Sequence, residues 1–516
     1  MGFDPKKEGP WAALAALVGV VSLWPYLWVV GLGAMSRDAV LWIERSQVGR
    51  PKFVEWIFWS QHFNVGYRPV TGLSYALNAA VGGYRVTDLL LHALCVVLVH
   101  LTYRRLAPTL PAWGGVVGAV VMACHPLVEF VVPHLARRGY PLATALSLGG
   151  LALLTSRGPA RFLGAVLIGL AALSNDAAYA VFVVGAGLVW TRDRDKGSLA
   201  SLGLVLLLLL AVRFVVIGGV GGYEATDRVG RIVPIYFATW DRLLPMFGPI
   251  ELPLGALRTA VAGVLSVVLA GAVAWGSAVD AEHRWAAVVP LAWLVGLTLL
   301  FLPNGVWFPR QVYLMLAPLA LVVSVLVVQL TRDPMTWARA APALLVVAAV
   351  LVRSPVFTGT DPAQRLAWAE TERVVADLTT AMAQVKRREE VSLVVPFYKR
   401  PSQQGLRARE GDERRRADPL GARIVEQRVE NLLGRAKQMH SAALLFTDPA
   451  DERPFVTVTE AGPGSYEVVA SPHTRLSLYA GELSSDSDEG GRGTISVPSG
   501  WLYVHDGVEG RLQRVP

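Results

Sequence analysis

Cysteine is nearly missing from this chain of 516 residues: there are two, Cys95 and Cys124, each inside an apolar run and neither in a CxxC or Cys/His spacing. That excludes a disulfide framework and a zinc site, and both thiols read as buried. Charge is scarce too. Only 17% of residues are Asp, Glu, Lys or Arg, against roughly a quarter in a soluble globular domain. Hydrophobic residues make up 53% and the mean hydropathy is +0.43. An ordinary soluble enzyme and a disordered chain are both excluded. No internal repeat recurs, which excludes a solenoid. No pair of Gly/Pro-broken hydrophobic segments stands in matching halves, as in a repeat-built transporter.

What charge there is lies unevenly: 45 of the charged residues fall in 353–516 and 43 in the much longer stretch 1–352. The split predicts a transmembrane module over 1–352 and a water-soluble domain over 353–516. The formal charge of +8 belongs to the first part, which holds 26 Lys and Arg against 17 Asp and Glu, while the tail holds 22 against 23. Basic loops beside membrane spans account for that excess, and nucleic acid is not expected as a partner.

Apolar runs long enough to cross a bilayer lie near 11–34, 87–106, 112–132, 140–155, 160–174, 177–191, 199–219, 258–278, 285–302, 311–331 and 337–352. The count is about eleven. With the N-terminus inside, the short loops holding Arg104 and Arg105, Arg157 and Arg161, Arg192, Arg194 and Lys196, and Arg332 all fall on the cytoplasmic side, as the positive-inside rule asks. An odd count puts the tail outside, in the periplasm of a bacterium, with the helices in the inner membrane as a multi-pass protein. In the tail, 362–390 and 420–438 read as helices, 399–418 as a charged solvated linker, and SLVVPFY, ALLFT, FVTVTE, SYEVVA, TRLSLY, TISVP and WLYVHDG as strands of a small sheet. The fold class expected is a polytopic α-helical membrane protein with a C-terminal soluble α+β domain.

The first outside loop, 35–86, is too long and too aromatic to be a connector. Phe53, Trp56, Ile57, Phe58 and Trp59 suit a short helix in the membrane interface. Asp38 sits at the mouth of any cavity the bundle encloses. It reads either as a general base facing a lipid-delivered substrate or as a carboxylate marking a helix end in water. Arg137 and Arg138 break the positive-inside rule on the outer side. Two guanidiniums at an apolar boundary suit a phosphate, or anchor to headgroups by snorkelling. His125 and His134 lack metal-ligand spacing and read as caps or packing. Asp176 in ALSNDAAYA is either a functional intramembrane carboxylate or an N-cap. Arg310, with Tyr313 in FPRQVYLML, is a second phosphate ligand or an interface anchor, and Arg68 of YRPVTGLSYALN completes the substrate-binding candidates.

Taken in order, YRPVTGLSYALN, LLLHALCVVLVHLTYRRL, ACHPLVEFVVPHLARRGYPLATALSL, AALSNDAAYA, RFVVIGGVGGY and PRQVYLMLAP resemble the GT-C membrane glycosyltransferases, over about residues 25–320. The branch is the protein O-mannosyltransferase-like one that includes the transmembrane mannosyltransferases with tetratricopeptide tails. Its usual strings are YRPLT, LLHAL, HPVHTEAVAWISGR, LLSKE and RYLYLPS. The resemblance implies a GT-C-like fold and an enzyme that passes a sugar, with inversion, from a polyprenyl-phosphate donor to a protein or glycan acceptor on the periplasmic side. It implies membrane lipid as a further partner and no cofactor beyond the lipid-linked sugar, with a divalent metal left open. The acidic motif after the first span falls on Asp38, the SGR arginine on Arg138, the SKE carboxylate on Asp176 and the RYLY arginine on Arg310. Four positions depart: Arg37 stands where a second acid is usual, Asn175 and Asp176 replace Lys-Glu, and Tyr140 replaces the acid after SGR. The tail has no tetratricopeptide period. Two other readings stay open, a transporter or flippase of a lipid-linked or anionic solute and a catalytically degenerate GT-C-derived envelope scaffold.

Overall fold

The computed structural model describes residues 5–30, 53–59, 66–192, 194–218, 284–301, 309–332 and 337–360, a few positions within 42–47 and 236–244, and eight strands between 391 and 515. The described chain falls into two compact units, one of helices up to Gly359 and one from Thr360 onward.

The helical unit opens with α1 (Pro5–Val21), which gives way to a 3₁₀ turn over Trp24–Val29. Pro25 there has no N–H to continue the ladder, so the expected run to residue 34 is not one helix. Helix α2 (Phe53–Phe58) follows, then α3 (Pro69–Val81), with Pro69 in its first turn, where a missing N–H does no harm. Gly82 and Gly83 both take positive φ (76° and 72°) and turn the chain sharply into α4 (Tyr84–Leu106). At the far end of α4 the Arg104 guanidinium donates to the carbonyls of Ala107, Pro108 and Leu110, closing the next loop.

Helix α5 (Trp113–Cys124) stops one residue before His125-Pro126, earlier than the expected 132. His125 caps the 3₁₀ turn Pro126–Phe130: its Nδ1 accepts from the Leu127 N–H, and Nε2 lies 3.0 Å from the Leu243 carbonyl. There follow α6 (Gly139–Leu154), α7 (Pro159–Ala172), α8 (Ala180–Arg192), α9 (Lys196–Ile217), α10 (Arg284–Phe301), α11 (Tyr313–Arg332), α12 (Trp337–Val352) and the short α13 (Pro355–Thr358). Among the described residues, three helices are long and apolar enough to cross a bilayer: Tyr84–Leu106, Lys196–Ile217 and Arg310–Gln329. Shorter apolar helices accompany them at Gly9–Val21, Trp113–Cys124, Pro159–Ala172, Trp285–Leu300 and Ala343–Thr358. The expected span at 258–278 lies outside the described residues.

Burial ranks the spans. Of the apolar window in Arg310–Gln329, 94% is buried, whereas that of α9 is only 11% buried. Helix α11 is therefore the central post, packed against α4, α5, α6, α10 and α12. Helix α9 presents Leu204, Leu207, Leu208, Phe214 and Val215 outward, an apolar face that suits lipid and not water. Both cysteines are buried and free.

Small residues let the helices approach. A Cβ on Gly150 of α6 would sit 2.9 Å from the Gly164 carbonyl of α7, and one on Gly164 equally close to the Gly150 carbonyl. Backbone-to-backbone packing of this kind is how apolar helices associate where water supplies no drive.

The contacts sort the connections onto two ends of the bundle. At one, Arg161 Nη1 meets Asp195 Oδ2 at 2.7 Å, joining the α6–α7 and α8–α9 connections. Asp195 also caps α9 by accepting from the Gly197 and Ser198 N–H groups and the Ser198 hydroxyl. Those bonds hold its carboxyl at about 2, below the ordinary 3.8. At the other end, Thr71 Oγ1 donates to the Ser174 carbonyl (2.9 Å) and the Val70 N–H to the Leu173 carbonyl (3.3 Å).

The second unit carries two sheets where one was expected. Strands β1 (Val391–Tyr398), β2 (Met439–Thr447), β5 (Arg475–Tyr479), β7 (Trp501–Asp506) and β8 (Arg511–Val515) form one in the order β5-β2-β1-β7-β8. Strand β1 is parallel to both neighbours, in keeping with its mostly apolar sequence, VSLVVPFY. Strands β3 (Val456–Gly462), β4 (Ser465–Ala470) and β6 (Arg492–Ser496) form an antiparallel second sheet. The expected helices at 362–390 and 420–438 and the linker at 399–418 lie outside the described residues.

Two measurements check this packing. Gly150→Val is expected to destabilise the protein by about 1–3 kcal/mol through overpacking at the α6–α7 crossing, read as a lower Tm in detergent. Because the folded carboxyl of Asp195 is depressed, its contribution is full above about pH 4 and fades as pH falls toward 2. Acid titration of the Arg161→Gln variant is expected to move that fading to higher pH.

Candidate functional site

Polar side chains gather at the end of the bundle where Thr71 and Ser174 meet, and they fall into two groups. The first is built around Arg138, the last residue before α6. Its side chain is fully buried, and Nε pairs with Asp88 Oδ1. Nη1 donates to Asn78 Oδ1 (2.6 Å) and the Ser74 carbonyl (3.1 Å), and Nη2 to the Tyr84 carbonyl (2.7 Å). The guanidinium lies 4.2 Å from the centre of the Tyr75 ring and 5.8 Å from that of Tyr84. Asn78 is itself oriented, its amide donating to the Gly82 carbonyl and to Thr87 Oγ1. Arg138 thus ties α3, α4 and α6 together.

The same group reaches the aromatic stretch between α1 and α3. Trp42 stacks on Tyr75 (5.3 Å, 12°) and meets Trp56 edge-on (5.0 Å, 70°), with Ile57 completing a separate buried cluster. The short helix expected around Phe53 to Trp59 is present as α2. Its two faces divide: Trp56 and Ile57 are buried, and Val54 and Trp59 stay exposed, as an interfacial element would leave them. The Tyr75 hydroxyl donates to the Leu135 carbonyl, fastening the cluster to the turn before Arg138.

The second group is Arg68, Asp176 and Arg213. Asn175 caps the 3₁₀ turn Asp176–Tyr179 by accepting from the Ala177 N–H, so capping falls to Asn175 and leaves the Asp176 carboxylate to other partners. Asp176 Oδ1 accepts from Arg213 Nη1, and Oδ2 lies 3.5 Å from Arg68 Nη2. The Arg213 guanidinium is 5.8 Å from the Tyr179 ring centre. Side-chain exposure grades across the group: 5% for Arg213, 22% for Arg68 and 31% for Asp176. Next to Arg68, the Tyr67 hydroxyl donates to the Phe58 carbonyl (3.1 Å), and burial, with Tyr179 nearby, pushes its phenol pKa above the ordinary value. The groups adjoin at Gly139, where a Cβ would sit 2.9 Å from the Ser174 carbonyl and 3.1 Å from Thr71 Oγ1.

The remaining candidates are dispersed. Arg137 points away from its neighbour and donates to the Phe130 carbonyl. Arg310 is half-buried on the 3₁₀ turn Pro309–Val312, which packs against the turn Pro126–Phe130. Tyr313 is fully buried in the bundle, its hydroxyl 2.8 Å from His92 Nδ1. Asp38 lies outside the described residues. Among the described residues no three His, Cys, Asp or Glu side chains converge as metal ligands would.

Asp88 and Arg213 went unnoticed in the sequence. The signal was there: each is an ionisable residue in an apolar run, YRVTDLLLHAL and LLLLLAVRFVVI, and such residues in spans turn inward to partners.

No protein-family model and no curated protein matches the chain. Among solved structures it is similar to the oligosaccharyltransferase of Archaeoglobus fulgidus. In the apo form the TM-score is 0.41 at 10% identity, covering 84% of this chain and 69% of that one. In the complex with Zn and sulfate the values are 0.40, 10%, 84% and 67%. In the form tethered by a disulfide to an acceptor peptide with the NVT sequon they are 0.39, 11%, 85% and 69%. A superposition this loose says nothing of which side chains act.

Because Arg138 and Asp88 are buried together, removing one strands the other. Asp88→Asn is expected to lose about 3–5 kcal/mol of stability. Asp88→Leu with Arg138→Met is expected to lie closer to wild type than either single change, by thermal melting in the same detergent.

Proposed function

We propose that the chain is a membrane glycosyltransferase that takes a sugar from a polyprenyl-phosphate donor and transfers it with inversion to a protein or glycan acceptor. The reaction belongs at the bundle end that holds Arg68, Asp176 and Arg213, on the periplasmic face of the inner membrane. The observation that carries this reading is the partly exposed Arg68–Asp176–Arg213 constellation at the mouth of an apolar bundle. Charges in such a place are expensive to keep and are retained for function. Guanidiniums there suit a phosphate headgroup whose tail stays in lipid. The ordered strings from YRPVTG to PRQVYL support the O-mannosyltransferase-like branch of the GT-C enzymes.

In the reaction the acceptor oxygen attacks C1 of the sugar from the face opposite the phosphate. Its proton passes to the Asp38 carboxylate, and the C1–O bond to phosphate breaks. The electron pair leaves on the polyprenyl phosphate, whose charge Arg68 neutralises, with Arg310 as the second candidate. Arg138 takes a positioning role in this scheme, since Asp88, Asn78 and two carbonyls already receive its N–H groups. Asp176, itself paired with Arg213, is the carboxylate that Arg68 faces.

The test is release of polyprenyl phosphate from a panel of polyprenyl-phospho-sugars by the full chain in liposomes. Asp38→Asn is expected to slow turnover about 10²–10⁴-fold, as loss of a general base does, and Arg68→Ala to weaken donor use without unfolding the protein. No turnover with any donor, together with movement of a lipid-linked solute across the bilayer, would replace the enzyme by a transporter.

A further inference from the structure

We propose that Asp176 is a resident substitute for the lipid phosphate. Its carboxylate bridges Arg68 and Arg213, and it releases Arg68 when a phosphate headgroup arrives. This rests on the donor reading above and adds the regulation of that site.

The geometry of the bridge carries the argument. Each carboxylate oxygen takes a different arginine, Oδ1 with Arg213 and Oδ2 with Arg68. A carboxylate so placed offers the two guanidiniums what two oxygens of a phosphate would offer. The two contacts are unequal. Arg213 is nearly buried and close, whereas Arg68 is more exposed and stands 3.5 Å away, longer than the roughly 2.7–2.9 Å of a strong charge-assisted hydrogen bond. Arg68 is therefore the arginine more easily given up.

The backbones on either side are fixed. Asn175 caps the turn that carries Asp176, and the bonds from Val70 and Thr71 to Leu173 and Ser174 fasten the chain beside Arg68 to the same turn. Opening the pair therefore needs side-chain rotation alone, with no hinge. Arg213 keeps Oδ1 throughout, so the closer of the two ion pairs is not broken. Two consequences follow for the ligand. A neutral polyprenol cannot displace a carboxylate, so the site selects carriers that bear an anion. After transfer, the returning carboxylate competes with the product phosphate and hastens its departure.

The test uses the full chain in lipid nanodiscs, titrated with farnesyl phosphate, inorganic phosphate and farnesol and followed by tryptophan fluorescence. Asp176→Asn is expected to bind farnesyl phosphate about tenfold more tightly, the worth of roughly one charge-assisted contact returned to the ligand. Farnesol binding should not change. Arg68→Gln is expected to abolish the gain when combined with Asp176→Asn. A gain for inorganic phosphate as well assigns recognition to a phosphate of any source, and a gain for farnesyl phosphate alone assigns it to a lipid headgroup; both support the substitute role. Asp176→Asn binding farnesyl phosphate no more tightly than wild type, or a gain that survives Arg68→Gln, overturns it.

Should Asp176→Asn fail to fold through loss of its ion pair with Arg213, the comparison moves to the Arg213→Gln background, where that pair is already absent. The same gain is expected there, and its absence overturns the proposal. A gain without sugar released from any donor leaves the substitute role standing and removes the glycosyltransferase. Sugar transfer without the gain does the reverse.

Discussion

The buried pair of Arg138 and Asp88 is the constraint on which the polar end of the bundle depends. Neither charge reaches solvent, so each is tolerable through the other, through Arg85 beside Asp88 and through the neutral acceptors around the guanidinium. Those acceptors come from α3 and from the start of α4, while Arg138 itself opens α6. Three helices must arrive in one relative placement before the pair can form, and any other placement leaves a bare charge among apolar side chains. Such a pair contributes less to net stability than to uniqueness of arrangement.

From that pair the order spreads in two directions. Through Tyr75, whose ring lies under the Arg138 guanidinium, it reaches Trp42 and Trp56 in the aromatic stretch before α3. Through Gly139, Thr71 and Ser174 it reaches the turn that carries Asp176. The rigid group supplies the frame, and the exposed group, with a carboxylate shared unevenly between two arginines, supplies the adaptable chemistry.

Much of the helical unit was legible because its signals are local. Apolar runs gave α6, α7 and α12 nearly to their ends, and Pro25 and Pro126 mark breaks that a hydropathy count alone passes over. Side-chain partnerships were harder. Arg137 and Arg138 are adjacent in sequence and look like one phosphate clamp, yet their backbone sits at the junction of a 3₁₀ turn and a helix, which sends the two side chains to different neighbours. Asp176 was recognised as chemically interesting, but its partner Arg213 lies on another helix, and no spacing rule links the two. Tyr313 reads as a neighbour of Arg310, whereas one helical turn carries it into the core beside His92. In the second unit, strand runs were readable, but their division into two sheets depends on long-range pairing.

Helix α9 has a mechanical consequence. It is the least buried of the three long spans, and each extremity is pinned by an ion pair: Asp195 to Arg161 at one end and Arg213 to Asp176 at the other. Between those pins the helix covers about 27 Å at 1.5 Å per residue, close to the roughly 30 Å of a bilayer's hydrocarbon core. A thicker or thinner membrane must then be met by tilting or stretching a strut whose ends are already fixed. Its two pins therefore stand about one hydrocarbon thickness apart, and the helix meets a change in that thickness with polar anchors at both ends.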